Sequence, residues 1–321
     1  MKIKDDKNGN IFLVVSIITI IAILILSIIL INSFIDLSKI NSNTIESETI
    51  QYALDDYKKN IAIIGYESLK EISEEVITTK VPLKDSKKEI KNRIQEKLDL
   101  KSLEYLNSQN IHITSHITNI ANDEDPFYID VTVYINAYTE NSEKTNYRKT
   151  VMEKISIINL KDPLPVLKCG NDESFSYNQT HVNYGNSLAN YLKLHDQKNY
   201  EYYINASSPF IIKKCIYDPY IQHGIGVTMK NCVENCYYHE SADGTCYLHR
   251  LEGKGDCLDY GMETFIIPAI HTPNLQATSA SDHVIFGYNS YPGTSFTFNT
   301  YDGINEVMFL DESHKSKYGL L

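Results

Sequence analysis

Six cysteines are the side chains whose types and spacing point most directly to chemistry. All of them lie in the second half of the 321-residue chain, at Cys169, Cys215, Cys232, Cys236, Cys246 and Cys257. An even number of cysteines confined to one presumptive domain, outside a membrane, is typical of disulfides. We therefore expect these six residues to form disulfides. Their pairing is left open, because six cysteines allow many connectivities.

A metal site is the alternative chemistry for the last four cysteines. Structural zinc sites combine one close pair of ligands with a second close pair. Three residues separate Cys232 from Cys236, which fits, but ten separate Cys246 from Cys257, which does not. The same stretch contains two histidines, His239 and His249. We therefore expect disulfides rather than a metal, with free thiols as a third alternative, and we expect no cofactor.

A hydrolytic site is another possibility, because histidine, serine and carboxylate side chains gather towards the C-terminus. The candidates are His271, Asp282 and His283, near Ser279 and Ser281, with Asp259 and Glu263 upstream. Nucleophilic catalysis needs a nucleophile, a base and an orienting group that converge in space. No G-x-S-x-G, H-E-x-x-H or Walker motif accompanies these residues in the sequence. We therefore expect the chain not to be an enzyme.

The elements that position these side chains follow an uncharged apolar run at residues 11–31. As a helix it is about 32 Å long, enough to cross the hydrocarbon core of a bilayer. A cleaved secretory signal has a shorter apolar region of about 7–15 residues, followed by a small-residue cleavage site. Neither feature is found here. We expect a cytoplasmic leader at residues 1–9 and a retained transmembrane helix at residues 10–31.

The charges beside the apolar run predict its orientation. The leader carries Lys2, Lys4 and Lys7, whereas the first residues beyond the run are polar or acidic. Lysines accumulate on the cytoplasmic side of membrane helices. We therefore expect a single-pass cell-membrane protein with a cytoplasmic N-terminus and an extracellular bulk. Two glycosylation sequons, at Asn178 and Asn205, fall on the exterior side.

The overall composition narrows the class of partner. The net charge of -11 and the pI near 5.4 disfavour broad attraction to nucleic acid. The chain has 24 tyrosines and no tryptophan, and most of the tyrosines follow residue 175. Rings with a polar tip suit a β-rich, water-facing domain, and a sugar-binding face is the alternative.

Residues 32–106 are expected to form a helical stalk. Apolar residues recur every three or four positions between Leu54 and Val76, and Pro82 ends that helix. Ser86 with Glu89 matches a capping box, which predicts a second amphipathic helix running to about residue 106. The two helices offer either a partner-binding surface or, as we favour, a face that packs on the protein's own sheet.

Residues 107–165 are expected to form an antiparallel β meander, because the apolar period changes to two. Alternating apolar residues mark strands at residues 111–120, 127–137 and 147–160, with a turn at residues 140–143. Two prolines in residues 161–165 then mark a domain boundary, since they interrupt both helix and strand.

Residues 166–321 are expected to form a Cys-rich, mainly β extracellular domain. A short helix is predicted at residues 187–195. Strands are predicted at residues 200–204, 210–217, 264–267, 284–288, 295–298 and 307–310. The expected fold class is α+β, with a transmembrane helix, a helical segment, an antiparallel meander and a mainly β disulfide-containing domain.

The first forty residues resemble the class III signal of type IV pilin-like proteins, particularly the archaeal ones. The matching features are a short lysine-bearing leader ending at Gly9 and an apolar helix that continues into a polar one. The resemblance implies that a prepilin peptidase cuts after Gly9, so that Asn10 becomes the N-terminus. Pilins usually carry Glu at the fifth mature position, where this chain has Val14. That departure favours a minor or non-polymerising pilin-like protein, or a plain signal anchor.

Three later segments resemble uncharacterised archaeal membrane-anchored surface proteins, at residues 247–253, 260–265 and 281–286. This similarity implies a cell-surface setting and no particular activity.

We expect a pilin-like or signal-anchored surface protein with a structural, adhesive or filament-assembly role. The alternative is an extracytoplasmic glycan- or ligand-binding module. The expected partners are the lipid bilayer and, from the pilin resemblance, a prepilin peptidase and other pilin-like subunits, but not nucleic acid.

Overall fold

The computed structural model of the chain describes residues 7–139, 147–197, 200–217, 219–224, 227–242, 244–257, 260–269, 271–272, 275–287, 294–299, 305–310 and 312–319. It combines an N-terminal apolar helix with further helices and antiparallel sheets, as expected for a mixed α and β chain. Most of the leader and the predicted turn at residues 140–143 lie outside the described residues.

Helix α1 (Lys7–Thr79) is 73 residues long, and its large apolar side chains from Phe12 to Leu37 are exposed. The segment Phe12–Lys39 is long and apolar enough to cross a membrane, and none of its apolar window is buried. The hydroxyls of Ser16, Thr19 and Ser27 each donate to the carbonyl four residues earlier, at 2.8 Å. Their protons are therefore satisfied within the helix, as an apolar environment requires. The expected N-terminal apolar helix is confirmed.

The break between the two long helices falls close to its predicted place. Helix α1 ends at Thr79, just before Pro82, and α2 spans Ser86–Gln109. The predicted cap is wrong by one residue, because the Asp85 carboxylate accepts the Lys88 N–H at 2.9 Å. Ser86 instead donates its backbone N–H and its hydroxyl to Glu252 Oε1, at 2.9 and 2.8 Å. A tertiary contact has taken the side chain that the capping box would use.

The predicted meander is confirmed as a sheet of β1 (Ile111–Asn122), β2 (Tyr128–Thr139) and β3 (Tyr147–Ser156). Both pairings are antiparallel, and β1 pairs with β2 through a bulge after Ile117. Alternate residues of β2 are buried. The period-two alternation of apolar residues in the sequence therefore correctly predicts which face of this strand is buried.

The second half of α1 and all of α2 pack on this sheet. The buried apolar residues of the two helices are Ile50, Ala53, Leu54, Tyr57, Ile61, Ile64, Leu69, Ile72, Val76, Ile90, Ile94, Leu98 and Tyr105. The Tyr57 hydroxyl lies 3.2 Å from the Leu98 carbonyl oxygen and 2.8 Å from Ser115 Oγ. A Cβ atom on Gly65 would lie 2.0 Å from Ile155 Cδ1, so α1 sits directly on β3. Packing on the protein's own sheet, the favoured interpretation, is confirmed.

The second half of the chain alternates short helices and strands. Its helices are α3 (Leu164–Cys169), α4 (Ser187–Leu194), α5 (Val227–Glu234), α6 (Tyr247–Leu251), α7 (Asp282–Phe286) and α8 (Glu312–Lys317). Its strands are β4 (Ser176–Tyr177), β5 (His181–Asn183), β6 (Ser207–Pro209), β7 (Tyr238–Ser241), β8 (Gly261–Ile266), β9 (His271–Thr272), β10 (Leu275–Ser281), β11 (Thr294–Asn299) and β12 (Asn305–Leu310). Two short 3-10 helices lie at Tyr200–Tyr203 and Tyr220–Gly224.

These strands form two further sheets. One has the order β4-β5-β6, and the other has the order β11-β12-β10-β8-β7, with β9 beside β10. The pairing of β10 with β12 is parallel, and the other pairings are antiparallel. The strands predicted near residues 264–267, 295–298 and 307–310 and the helix near residues 187–195 are confirmed.

Three predicted strands are wrong. Residues 200–203 form a 3-10 helix, residues 210–217 contribute only isolated bridges at Ile211 and Lys214, and residues 284–286 belong to α7. A short apolar run has the same composition in a buried strand and in a buried helix, so periodicity cannot separate the two. The second half therefore contains more helix than the expected mainly β domain.

The main hydrophobic core crosses the predicted boundary at residues 161–165. Besides the two long helices and the first sheet, it includes residues from the second half: Ile212, Tyr238, Cys246, Tyr247, Leu248, Leu251 and Met262. A second cluster contains Ile77 of α1 together with residues of α3, α4 and α7. The long helix therefore contributes to both cores, while the proposed division of the chain into domains stays a prediction.

A buried ion network joins four parts of the second half. Arg250 Nη1 lies 2.6 Å from Asp162 Oδ2, and Nη2 lies 2.8 Å from Asp282 Oδ2. The guanidinium also donates to the carbonyl oxygens of Thr245, at 3.0 Å, and Met262, at 2.7 Å. Although burial opposes the charge, the two carboxylates raise the pKa of Arg250. The cation is therefore compensated on both sides.

Replacing Arg250 should destabilise the fold, because the substitution removes the cation of this network. Arg250→Met leaves Asp162 and Asp282 buried without their cation, so we expect the free energy of unfolding to fall by about 3–5 kcal/mol. Urea denaturation of the full chain in detergent measures this change. The matched control is Lys97→Met, which removes a partly exposed ion pair with Glu71 and should cost less than about 1 kcal/mol. Equal losses for the two variants would contradict the account.

Candidate metal centre

Four buried side chains from the second half of the chain converge on one point. They are Cys215, His223, Cys232 and His239, and their ligand atoms all lie within 4.8 Å of one another. At most 4% of any of these residues is exposed. Two thiols and two imidazoles are the side chains that bind zinc and similar metals. Their convergence in a dry interior therefore identifies a candidate metal centre.

Three of the ligands come from three different short elements, and the fourth lies in a connecting segment. His239 lies on β7, Cys232 on α5, and His223 in the 3-10 helix Tyr220–Gly224. Cys215 is held beside β7, because its backbone N–H donates to the Tyr238 carbonyl oxygen at 2.8 Å. Strand β7 is thus the element against which the other ligands are placed.

The distances between donor atoms are short and similar. His223 Nε2 lies 3.1 Å from Cys232 Sγ, 3.5 Å from Cys215 Sγ and 3.2 Å from His239 Nε2. The two sulfur atoms are 3.3 Å apart. The four donors therefore surround a common centre instead of pairing off.

The hydrogen bonds of the two rings decide which nitrogens face this centre. His223 Nδ1 lies 2.7 Å from the Tyr220 carbonyl oxygen, so Nδ1 carries the proton and Nε2 presents its lone pair in the neutral ring. A backbone carbonyl at the other ring nitrogen is the usual support for a metal-binding histidine. His239 Nδ1 is buried and has no hydrogen-bond partner among the described residues.

Aromatic rings close the outer side of the cluster. The ring of Tyr318 lies 5.4 Å from that of His223 and 5.3 Å from that of His239, measured between centroids. Tyr220 packs edge-on against both histidines. The Tyr318 hydroxyl in turn bonds to Glu263 on β8. The donors are therefore covered by Tyr220 of the 3-10 helix and by Tyr318, which follows α8.

The two thiols of the cluster are electrostatically unequal. A hydrogen bond with Cys232, supported by His223 and His239, lowers the pKa of Cys215 against the opposing effect of burial. The same hydrogen bond and burial raise the pKa of Cys232. Burial lowers the pKa of His239. Burial therefore favours the neutral form of the His239 imidazole, which is the form that binds metal.

A second, more open cluster is formed by Cys246, His249 and Cys257. His249 Nδ1 lies 2.7 Å from Cys257 Sγ and 3.4 Å from Cys246 Sγ, and the sulfurs are 3.3 Å apart. His249 and Cys257 are only partly buried. A cavity of about 250 Å³ adjoins the cluster and is also lined by Asn122 and Glu252. This arrangement offers three protein donors and an accessible side.

The structure regroups the cysteines that the sequence placed together. Cys236 lies in a turn with φ of 60° after α5, and its sulfur is 2.8 Å from His181 Nε2, not beside Cys232. Cys169 is buried in the second core, where burial raises the pKa of its thiol. Cys215 and His223 were missed as ligands, because they stand seven residues or more from the next donor in the sequence.

All six cysteines are free thiols in the structure. The two close pairs, Cys215 with Cys232 and Cys246 with Cys257, have sulfur separations of 3.3 Å, well beyond a disulfide bond of about 2.05 Å. The expected disulfides are therefore not shown and stay a prediction.

Among the hydrolysis candidates that the structure describes, Ser281, His283 and Glu263 do not have the geometry of a catalytic triad. His283 Nδ1 contacts both Ser281 Oγ, at 2.7 Å, and Glu263 Oε2, at 3.1 Å. A triad needs the nucleophile and the acid on opposite ring nitrogens. Asp282 is instead bound to Arg250. Side-chain placements of His271 and Ser279, and all of Asp259, lie outside the described residues. The expectation of no catalysis stays a prediction.

The remaining predicted sites lie on the surface or at the start of α1. Asn178 and Asn205 are both exposed, as glycosylation requires. Gly9 and Asn10 lie within the first turns of α1. Both the glycosylation of these asparagines and the processing at Gly9 stay predictions.

Comparison of the chain with protein families, curated proteins and solved structures finds no match. The pilin-like resemblance therefore stays a prediction.

Protonation of Glu252 should weaken the contact between α6 and α2. Although burial opposes its charge, hydrogen bonds from Lys254 and Ser86 lower the pKa of Glu252. A carboxylate with a lowered folded-state pKa adds stability above its unfolded-state pKa and loses it as the pH falls through the folded-state value. We expect Glu252→Gln to lower the free energy of unfolding at pH 7, with the gap to wild type closing below about pH 4.

Urea denaturation of the full chain at several pH values measures this gap. The matched control is Glu104→Gln, an exposed glutamate paired with Lys101, which should give a small difference at every pH. A Glu252→Gln gap that does not change with pH would show that the carboxylate charge is not what holds the two helices.

Proposed function

We propose that the chain is a single-pass, membrane-anchored cell-surface protein with a structural, adhesive or filament-assembly role. The observation that carries this proposal is the continuous helix α1. It begins as an exposed apolar rod at Phe12–Lys39 and ends within the core of the folded part. A single helix thus connects the exposed apolar segment to the folded part of the chain, called the head below, without an intervening loop.

The exposed rod supports the membrane anchor. Its large apolar side chains are exposed, and Phe12, Ile18, Leu26 and Leu30 are each more than half exposed. Contiguous apolar surface of this extent is avoided on soluble monomers, whereas a bilayer covers it. The apolar segment of 28 residues is about 42 Å long, so it crosses the hydrocarbon core with residues to spare on either side.

The leader supports the orientation. Lys2, Lys4 and Lys7 precede the apolar segment, and such lysines are retained in the cytoplasm. The folded head, with the exposed sequons at Asn178 and Asn205, is then outside the cell. The proposed partners are accordingly the bilayer and other surface components.

The pilin-like character of the proposal draws on the start and the end of α1. Gly9 precedes the apolar segment at the position where a prepilin peptidase would cut, leaving Asn10 first. The far end of the helix lies on an antiparallel sheet, which is the arrangement expected of a pilin-like head. Val14 replaces the glutamate that recruits a subunit to a filament, so we favour a minor or non-polymerising role.

A ligand-binding module is the second candidate, and one surface feature favours it. A shallow cavity of about 470 Å³ is lined by Tyr177, Asn178, His181 and Asn183, and Tyr177 is 45% exposed. An exposed aromatic ring beside amides suits a sugar. A glycan array probed with the full chain tests this candidate, and a blank array would retire it.

Membrane extraction should separate an integral anchor from a soluble helix. We expect the full chain to stay in the membrane pellet after an alkaline carbonate wash, and Ile21→Asp/Leu24→Asp to shift it to the supernatant, because each central charge costs about 2.5–3.5 kcal/mol. The matched control is Leu100→Asp/Leu103→Asp, which changes two exposed leucines of α2. Release of the wild-type chain by carbonate would contradict the anchor.

The same pellet tests the route of processing. Mass spectrometry of the mature N-terminus, after expression with a prepilin peptidase, should give Asn10 as the first residue. A chain that still begins at Met1 would contradict the pilin-like route and leave a plain signal anchor.

A further inference from the structure

We propose that Cys215, His223, Cys232 and His239 bind one zinc ion in a closed, tetrahedral, structural site. The proposal goes beyond the anchoring function and does not depend on it. It is carried by the convergence of four buried donor atoms from four different segments.

The donor separations match those of a tetrahedral zinc site. With zinc–sulfur bonds of about 2.3 Å and zinc–nitrogen bonds of about 2.0–2.1 Å, a tetrahedron places sulfur atoms about 3.8 Å apart, nitrogens about 3.3 Å apart and mixed pairs about 3.6 Å apart. The structure has a sulfur pair at 3.3 Å, a nitrogen pair at 3.2 Å and mixed pairs at 3.1 and 3.5 Å. Each of these four pairs needs to open by about 0.5 Å or less to admit the ion, and the two remaining pairs, His239 with each sulfur, lie within 4.8 Å.

A disulfide between Cys215 and Cys232 would explain two of the four side chains. It would leave the Nε2 atoms of His223 and His239 facing each other at 3.2 Å in a dry interior. His223 presents a lone pair there, since its Nδ1 proton goes to the Tyr220 carbonyl. The pair of rings is still compatible with a disulfide, because His239 Nε2–H can donate to that lone pair. One cation at the centre would instead engage all four donor atoms at once, which a disulfide does not.

The ligand set selects the metal and its role. Tetrahedral sites with two sulfur and two nitrogen donors are typical of zinc. Two thiolates neutralise the charge of a divalent ion, so the loaded site carries no net charge into the interior. The rings of Tyr220 and Tyr318 pack over the histidines and leave the site closed. A four-ligand site without an open position is structural, not catalytic.

The ion would tie together a region that has little regular structure of its own. Cys215 precedes a 3-10 helix, α5 has eight residues and β7 has four. Each of these pieces is too short to be stable alone. A zinc ion bound to all of them adds its binding free energy to the stability of the fold. It would also hold β7 in place beside β8.

Metal analysis of cysteine variants tests the proposal. The full chain is purified from membranes in detergent in the Cys246→Ser/Cys257→Ser background, which removes two donors of the open cluster. We expect about one zinc atom per chain by elemental analysis, and loss of nearly all of it on adding Cys232→Ser. The matched control is Cys169→Ser, which also replaces a buried cysteine but lies in the other core and should retain the zinc.

A readout on the unmutated chain covers the case in which Cys232→Ser does not fold. Wild-type protein is denatured with an alkylating reagent and no reductant, and its peptides are mapped. Modification of both Cys215 and Cys232 is expected of metal-bound thiolates. A disulfide joining these two residues would overturn the proposal, and so would a background protein without zinc or one whose zinc survives Cys232→Ser.

Discussion

The second half of the structure depends on a charge placed where water cannot reach it. Arg250 is completely buried, and its guanidinium charge is compensated there by Asp162 and Asp282, which approach it from two sides. Asp162 belongs to the segment before α3 and Asp282 begins α7, so the network requires distant segments to meet. Removing one partner of such a group is costly, which makes the arrangement close to all-or-none.

Strand β7 connects the buried ion network of Arg250 to the candidate metal centre. Tyr238 of β7 places its ring 5.6 Å from the Arg250 guanidinium, and its hydroxyl donates to Asp162 at 3.1 Å. The next residue is His239, whose side chain points to the other face of the strand, as neighbouring residues do. The ion network therefore contacts one face of β7, and the proposed zinc ion is bound at the opposite face.

Local patterns in the sequence predicted the parts of the fold that depend on local structure. The helical spacing up to Pro82 and the alternation in β2 report which face of an element is buried, and the uninterrupted apolar run predicts a helix that is apolar all round. The failures occur where a distant contact decides the outcome. Ser86 bonds to Glu252 instead of capping its helix, and residues 284–286 form a helix within a buried apolar run.

The residues of the candidate metal centre could not be grouped from the sequence, because distant contacts bring them together. Sequence spacing groups Cys232 with Cys236, but the turn at Cys236 sends that side chain to His181. The actual neighbour of Cys232 is Cys215, which β7 brings into place through a backbone hydrogen bond.

X-ray absorption at the zinc edge, on the full chain in the Cys246→Ser/Cys257→Ser background, tests this grouping most directly. Zinc held by Cys215, His223, Cys232 and His239 should give a shell of two sulfurs at about 2.3 Å and two nitrogens at about 2.0–2.1 Å. A shell of oxygen and nitrogen alone, or a protein without zinc, would contradict it.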